Sequence, residues 1–282
     1  MGKLVEKLQQ ISQGSSGAVG FLGLARQQGQ ARLARPAAVF VSVAAGNAAT
    51  GEAALKQGAD GIIVTGWKSG ADVSAVKAAA DANGGIFGVE YSAESYEEGA
   101  LKKAKEAGAS FAVVQGTSPA HVVVEEVEGF DVVVTVDVPK DDLGLVLMRA
   151  ENMVPAQAAL LRAQITPSGL AKMTVADFAR LRLAAEALRF PVLLTLAGAP
   201  EDAHVRTLAR LGVSALVLSA EGVNAEKLGA QVKALREQLE KTPIRSEDRS
   251  PVAIGGLMDG GGASLTPQRP SRREPEPEPD EE

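Results

Sequence analysis

Cysteine is absent from the 282-residue chain. That excludes disulfides, thiolate nucleophiles and every cysteine-ligated metal site together. Long apolar runs are missing too: 45% of the residues are apolar, yet no uninterrupted stretch reaches the roughly 18 to 20 residues that cross a bilayer. No membrane partner is expected. The two histidines, His121 and His204, stand at no helical spacing that would pair them as ligands, so no metal site is expected either. Nothing in the chain identifies a cofactor. The opening MGKLVEKLQQI mixes charge with apolar residues at helical spacing, unlike a secretory signal, and Glu6 stands where myristoylation wants serine or threonine. A cytoplasmic location is the default expectation.

Basic excess is also lacking, once the net charge of -6 is located. Glu274 to Glu282 holds six acids and no base, which leaves the rest of the chain formally neutral. A neutral body without a clustered basic surface argues against nucleic acid as a partner. From Lys7 to Thr50 there is no acid, while Arg26, Arg32 and Arg35 accumulate. That stretch reads as a solvated connector whose arginines pair with acids elsewhere on the surface.

What the chain does have is a repeated phrase: a helix, a glycine, one or two small residues, then an apolar strand. It reads ALKQGADGIIV from Ala54, AKEAGASFAVV from Ala104 and LARLGVSALVL from Leu208. Glycine tolerates the left-handed conformation that stops a helix, and a continuous Ile/Val/Leu run suits a strand covered on both faces. Eight such strands are expected, at 38–45, 61–67, 86–91, 111–116, 131–138, 158–164, 191–197 and 214–219. Their spacing of roughly 20 to 35 residues leaves room for one crossover helix each, as parallel βαβ units require. The fold class is therefore α/β, a single (β/α)8 TIM barrel. Residues 1–36 are expected as an N-terminal helical extension, with Leu4, Leu8 and Ile11 on one face, that plugs or covers the barrel bottom. Residues 37–241 form the barrel, and residues 242–282 a disordered acidic, Pro/Gly-rich tail. The run Leu143 to Met153 is open between a helix and a strand, because a short apolar segment is ambiguous by periodicity.

In such a barrel the chemistry sits at the C-terminal ends of the strands. Those ends carry Lys68, Glu90, Gln115, Asp137, Lys140, Arg162, Gln164 and Ser219, a polar set after apolar runs. On strand five, Asp131, Val133, Thr135 and Asp137 share one face and Val132, Val134, Val136 and Val138 the other. The valines must meet the helices, so Thr135 and Asp137 point inward. Arg162 and Gln164 share a face of strand six by the same alternation. An inward Asp and Arg at one rim call for a hydrogen-bonded network of Asp137, Arg162 and Glu90. In one reading Arg162 and Lys68 anchor an anionic substrate, and Asp137 or Glu90 is the general base. In the other, the ions form a closed plug in a non-catalytic barrel.

The last quarter, PVLLTLAGAPEDAHVRTLARLGVSALVLSAEG from Pro191 to Gly222, resembles the phosphate-binding, aldolase-type branch of the TIM barrels. The resemblance implies a phosphate cradle built from the turns after strands seven and eight, here Ala197 with Gly198 and Ser219 with Ala220. The chain departs from that pattern at Ala199, Pro200 and Glu221: proline removes an amide donor and the glutamate adds a negative charge. Strand six carries no lysine, which excludes the Schiff-base position usual in that branch. TGWKSG at Thr65 to Gly70 is no Walker loop, since it lacks the length and the Lys-Ser/Thr ending. The expected function is a rim site for a small anionic metabolite, with lyase or isomerase chemistry. The alternative is a scaffold that binds a protein partner through the tail, where Val252, Ile254, Leu257 and Met258 make an apolar island at 252–258. That island is similar to the C-terminal loading peptides of encapsulin cargo in having small residues between spaced aliphatics.

Overall fold

Each repeated glycine ends a helix and starts the turn into a strand. In the computed structural model, which describes residues 2–13, 34–92, 96–125, 127–139, 141, 144 and 148–242, Gly58, Gly108 and Gly212 have φ of 97°, 93° and 76°. The next residue's amide reaches back into the helix, Ala59 to the Ala54 carbonyl at 3.0 Å and Ala109 to that of Ala104 at 3.1 Å. This closes the helix end with the wide return bond that a left-handed glycine permits. One residue later the chain joins the sheet. Asp60 N donates to Val39 O at 2.7 Å, Ser110 N to Phe87 O at 2.8 Å and Ser214 N to Val192 O at 2.7 Å.

The elements run α1 (Lys3–Gln13), β1 (Ala38–Ala44), α2 (Ala48–Lys56), β2 (Gly61–Thr65), α3 (Gly70–Asn83), β3 (Ile86–Glu90), α4 (Ala100–Glu106), β4 (Phe111–Gln115), α5 (His121–Val124) and β5 (Asp131–Asp137). They continue with β6 (Ala158–Ile165), α6 (Pro167–Ala171), α7 (Val175–Ala187), β7 (Val192–Leu196), α8 (Asp202–Ala209), β8 (Ala215–Ser219) and α9 (Ala225–Lys241). All eight strands are parallel, and β1 pairs with both β2 and β8, so the sheet closes into a barrel. The ambiguous run before β6 ends in a 3-10 turn at Arg149–Met153 and not in a strand. Among the described residues no helix is long and apolar enough to cross a membrane.

Two apolar clusters divide the strands by alternation. Val39, Val41, Val43, Ile62, Val64, Val132, Val134 and Val136 pack outward with the helices. Ala38, Phe40, Ile63, Phe111, Val133, Leu160, Leu193 and Val217 pack inside the ring. There Phe40 and Phe111 meet edge to face, with ring centroids 6.1 Å apart. The close approach is possible because β2 and β3 present Gly61 and Gly88 inward: a Cβ on either would strike the Phe40 or the Phe111 ring.

Leu4, Leu8 and Ile11 of α1 join the interior cluster at the strands' N-terminal ends. The helix is held by Asp131, whose buried carboxylate accepts from Leu4 N at 2.9 Å and Val5 N at 3.3 Å. Free amides at a helix start carry partial positive charge, so the carboxylate there acts as a cap. Burial still leaves Asp131 above its ordinary carboxylate range, with the Val5, Leu4 and Gly2 amides pulling it down.

Arg35 is not the solvated residue its basic stretch suggested. Its side chain is 3% exposed and Nη2 lies 2.7 Å from Asp60 Oδ1, whose carboxylate also accepts from Val39 N at 2.8 Å. The pair ties the entry to β1 to the start of β2, and that position beneath the sheet is why it is dry. Arg26, Arg32, Lys140, the side chain of Gln164 and the 252–258 island lie outside the described residues.

Candidate functional site

The strand interiors turn from apolar to polar along their length. Above Phe40, Ile63, Phe111, Val133, Leu160, Leu193 and Val217 come the inward residues Ser42, Thr65, Glu90, Gln115, Thr135, Arg162, Thr195 and Ser219, one from each strand. The registers pair Ser42 with Ser219, Thr65 with Glu90, and Gln115 with Thr135, and stagger the others by two residues, as Glu90 opposite Val113 and Thr135 opposite Leu160. Three of them spend their hydroxyl hydrogens on the neighbouring strand. Thr65 Oγ1 donates to Val43 O at 3.3 Å, Thr135 Oγ1 to Val114 O at 3.1 Å and Thr195 Oγ1 to Leu161 O at 3.2 Å.

Asp137 and Arg162 are register partners, and Arg162 Nε lies 3.2 Å from Asp137 Oδ1. The pair is at the wet edge of the mouth, with the Asp137 side chain 77% exposed and that of Arg162 40%. Only Nε is used, so both terminal nitrogens of the guanidinium lack a hydrogen-bond partner among the described residues. Glu90 sits lower and is half-buried, and its carboxyl makes no hydrogen bond among the described residues. Burial pushes it above the usual carboxylate range while the Arg162 charge pulls it partway back. A carboxyl that is partly desolvated, unpaired and beside a cation is suited to take up and return a proton.

The remaining residues singled out from the sequence are more scattered. Lys68 follows β2, is exposed, and gives its backbone amide to Asp72 Oδ2 at 2.9 Å within the capping box that opens α3. Gln115 ends β4 and is half-buried. Ala197 and Gly198 follow β7 beside α6, where a Cβ on Gly198 would come 3.2 Å from Pro167 Cγ. Ser219 ends β8, its Oγ accepting from Glu221 N at 3.3 Å. Among the described residues no group of three or more His, Asp or Glu is arranged to hold a metal ion.

Two features escaped the sequence reading. Ser42 alternates with Phe40 on β1, and that alternation alone is enough to place it in the mouth. Beside the β2–β4 ends runs a row of rings, Trp67, Tyr91, Tyr96 and His121, each edge-on to the next, with centroids 5.4, 5.7 and 5.7 Å apart. Tyr91 Oη donates to Ala100 O at 2.7 Å, and Tyr96 Oη to Glu125 Oε2 at 3.1 Å. No local pattern announces such a row, since its members come from three separate segments. His204 is half-buried and its Nδ1 is enclosed.

No protein-family model and no curated protein matches the sequence. Solved structures do match in shape. Thiamine phosphate pyrophosphorylase from Pyrococcus furiosus superposes with a TM-score of 0.55 at 14% identity, over 73% of this chain and 97% of that one. Phosphoribosyl anthranilate isomerase from Thermotoga maritima gives 0.52 at 14% identity over 73% and 99%. Orotidine 5'-phosphate decarboxylase from Pyrococcus horikoshii gives 0.52 at 12% identity over 71% and 98%. At such identities the likeness is one of architecture: what this chain shares with these enzymes is the TIM-barrel fold.

Proposed function

We propose that the C-terminal mouth of the barrel binds a small anionic metabolite and moves a proton on it, chemistry of the isomerase or lyase type. The observation that carries this reading is the half-buried Glu90 carboxyl, with no hydrogen-bond partner among the described residues, next to an arginine whose two terminal nitrogens have none among them either. Arg162 anchors the anion, with exposed Lys68 adding a second positive charge at the entrance. Glu90 is the base, and Asp137 holds the guanidinium in place through Nε. Gln115, Ser219 and the Ala197 and Gly198 turn form the walls.

In the reaction, Glu90 takes a proton from a carbon next to a carbonyl. The electrons of the broken C–H bond move onto the carbonyl oxygen, where the Arg162 charge stabilises them. Return of the proton to the former carbonyl carbon, with the hydroxyl proton of the deprotonated carbon passing to the enolate oxygen, gives an isomerisation, whereas re-formation of the carbonyl with expulsion of a leaving group from the carbon beta to it gives a lyase reaction. The enzymes similar in fold include an isomerase and a decarboxylase by name, which fits this class of chemistry. The test is a thermal-shift screen of anionic metabolites on the full chain. A ligand that stabilises the wild type and not the Arg162→Met variant supports the reading. Equal stabilisation of both variants removes Arg162 as the anchor.

A further inference from the structure

In the two turns at the positions of a phosphate cradle four amides are used internally, while those of Gly198, Ala199 and Gly222 donate to nothing among the described residues. Ala197 N donates to Ile165 O at 2.8 Å, Ala220 N to Ser42 O at 2.9 Å, Glu221 N to Ser219 Oγ at 3.3 Å and Val223 N to Ala220 O at 3.1 Å. Pro200 has no amide hydrogen, and Glu221 places a negative charge on the second turn. A phosphate seated there would lack a donor at Pro200 and face the Glu221 carboxylate.

The adjoining part of the mouth, at the ends of β5 and β6, is arranged differently. Asp137 occupies Arg162 Nε and leaves the two terminal nitrogens, a planar fork that fits the two oxygens of a carboxylate. Around the ring, Thr65, Thr135 and Thr195 have already donated their hydroxyl hydrogens to the Val43, Val114 and Leu161 carbonyls. Each threonine oxygen is left as an acceptor, so a ligand that satisfies it must bring a hydrogen. Glu90 adds two more acceptor oxygens when ionised. The mouth therefore offers a positive fork together with these acceptors, alongside the Gln115 amide and the Ser42 and Ser219 hydroxyls, a set that an anion carrying hydroxyl groups complements.

We infer that the ligand is a small polyhydroxy carboxylate of the sugar-acid type, and not a phosphate ester; this rests on the reading of the mouth as an anion site. The test titrates the full chain with three probes, followed through backbone amide chemical shifts. Glycerate and glycerol 3-phosphate are both short hydroxylated chains and differ chiefly in the anionic group, and propanoate lacks the hydroxyls. Glycerate is expected to shift the Tyr91 and Ala163 amides and to bind at least about tenfold more tightly than either other probe. Arg162→Lys, which keeps the charge and loses the fork, is expected to lower glycerate affinity about tenfold with an unchanged far-UV spectrum. Tighter binding of glycerol 3-phosphate, with shifts centred on residues 197–199 and 220–222, overturns the carboxylate inference and leaves the anion site standing. Equal affinity for glycerate and propanoate overturns the hydroxyl requirement, and with it the inference. No shift with any probe overturns both the inference and the anion site.

Discussion

Asp137 and Arg162 face each other across the β5–β6 register, and a single Nε–Oδ1 contact of 3.2 Å joins them at the open end of the barrel. Exposed pairs of this type contribute only about 0 to 1 kcal/mol to stability. Asp137→Asn should therefore leave the urea midpoint nearly unchanged while loosening the arginine, so that any rim ligand binds more weakly. A large loss of stability in Asp137→Asn would show that the pair is structural.

Glu90 gives a pH signature. Its folded-state carboxyl lies above the ordinary value of 4.5, so the folded protein holds this proton more firmly than the unfolded chain does. Stability contributed by the residue then falls as pH rises from about that ordinary value through the folded one. Glu90→Gln should be more stable than the wild type at pH 7, and the gap should close as pH drops into that window. Urea melts of both proteins from pH 4 to 8 measure it, and a gap independent of pH contradicts the burial of the charge.

The chain has two tyrosines, Tyr91 and Tyr96, and both phenols are pushed well above their ordinary value, by burial first and then by acidic neighbours. An absorbance titration at about 295 nm should show no phenolate step near the usual pH of about 10 while the protein stays folded. In urea both should titrate there. A normal native step would mean that the ring row opens to solvent.

Arg35 and Asp60 make the opposite case to Asp137 and Arg162. Both side chains are at most 3% exposed. Removing one partner leaves a buried charge, which typically costs about 3 to 5 kcal/mol. Arg35→Met and Asp60→Leu should each destabilise by that order in chemical denaturation. The double variant should recover much of the loss.

The barrel was legible because its signals are local. A glycine after a helix, as at Gly58, Gly108 and Gly212, acts on its own turn, and the Asp131 to Asp137 alternation states which face is inward without reference to any other strand. The same alternation placed Arg162 opposite Asp137. What stayed hidden depends on distant segments meeting. Arg35 reads as one of three arginines in a basic stretch until β2 brings Asp60 beneath the sheet. Asp131 reads as one more inward residue until α1 arrives. The ring row joins Trp67 and His121 through two tyrosines on another loop. Nor does a list of polar strand ends say which donors are already spent, as those of Ala197 and Ala220 are.

The Asp131 cap also constrains how the chain is made. Leu4 and its anchor are 127 positions apart, so during synthesis α1 emerges long before β5 exists to receive it. Until then its apolar stripe of Leu4, Leu8 and Ile11 has no seat, and contacts this far apart in sequence are among the slow ones to form. This helix must therefore wait for the fifth strand, and a nascent chain that stalls before Asp131 leaves the apolar stripe of α1 without its seat.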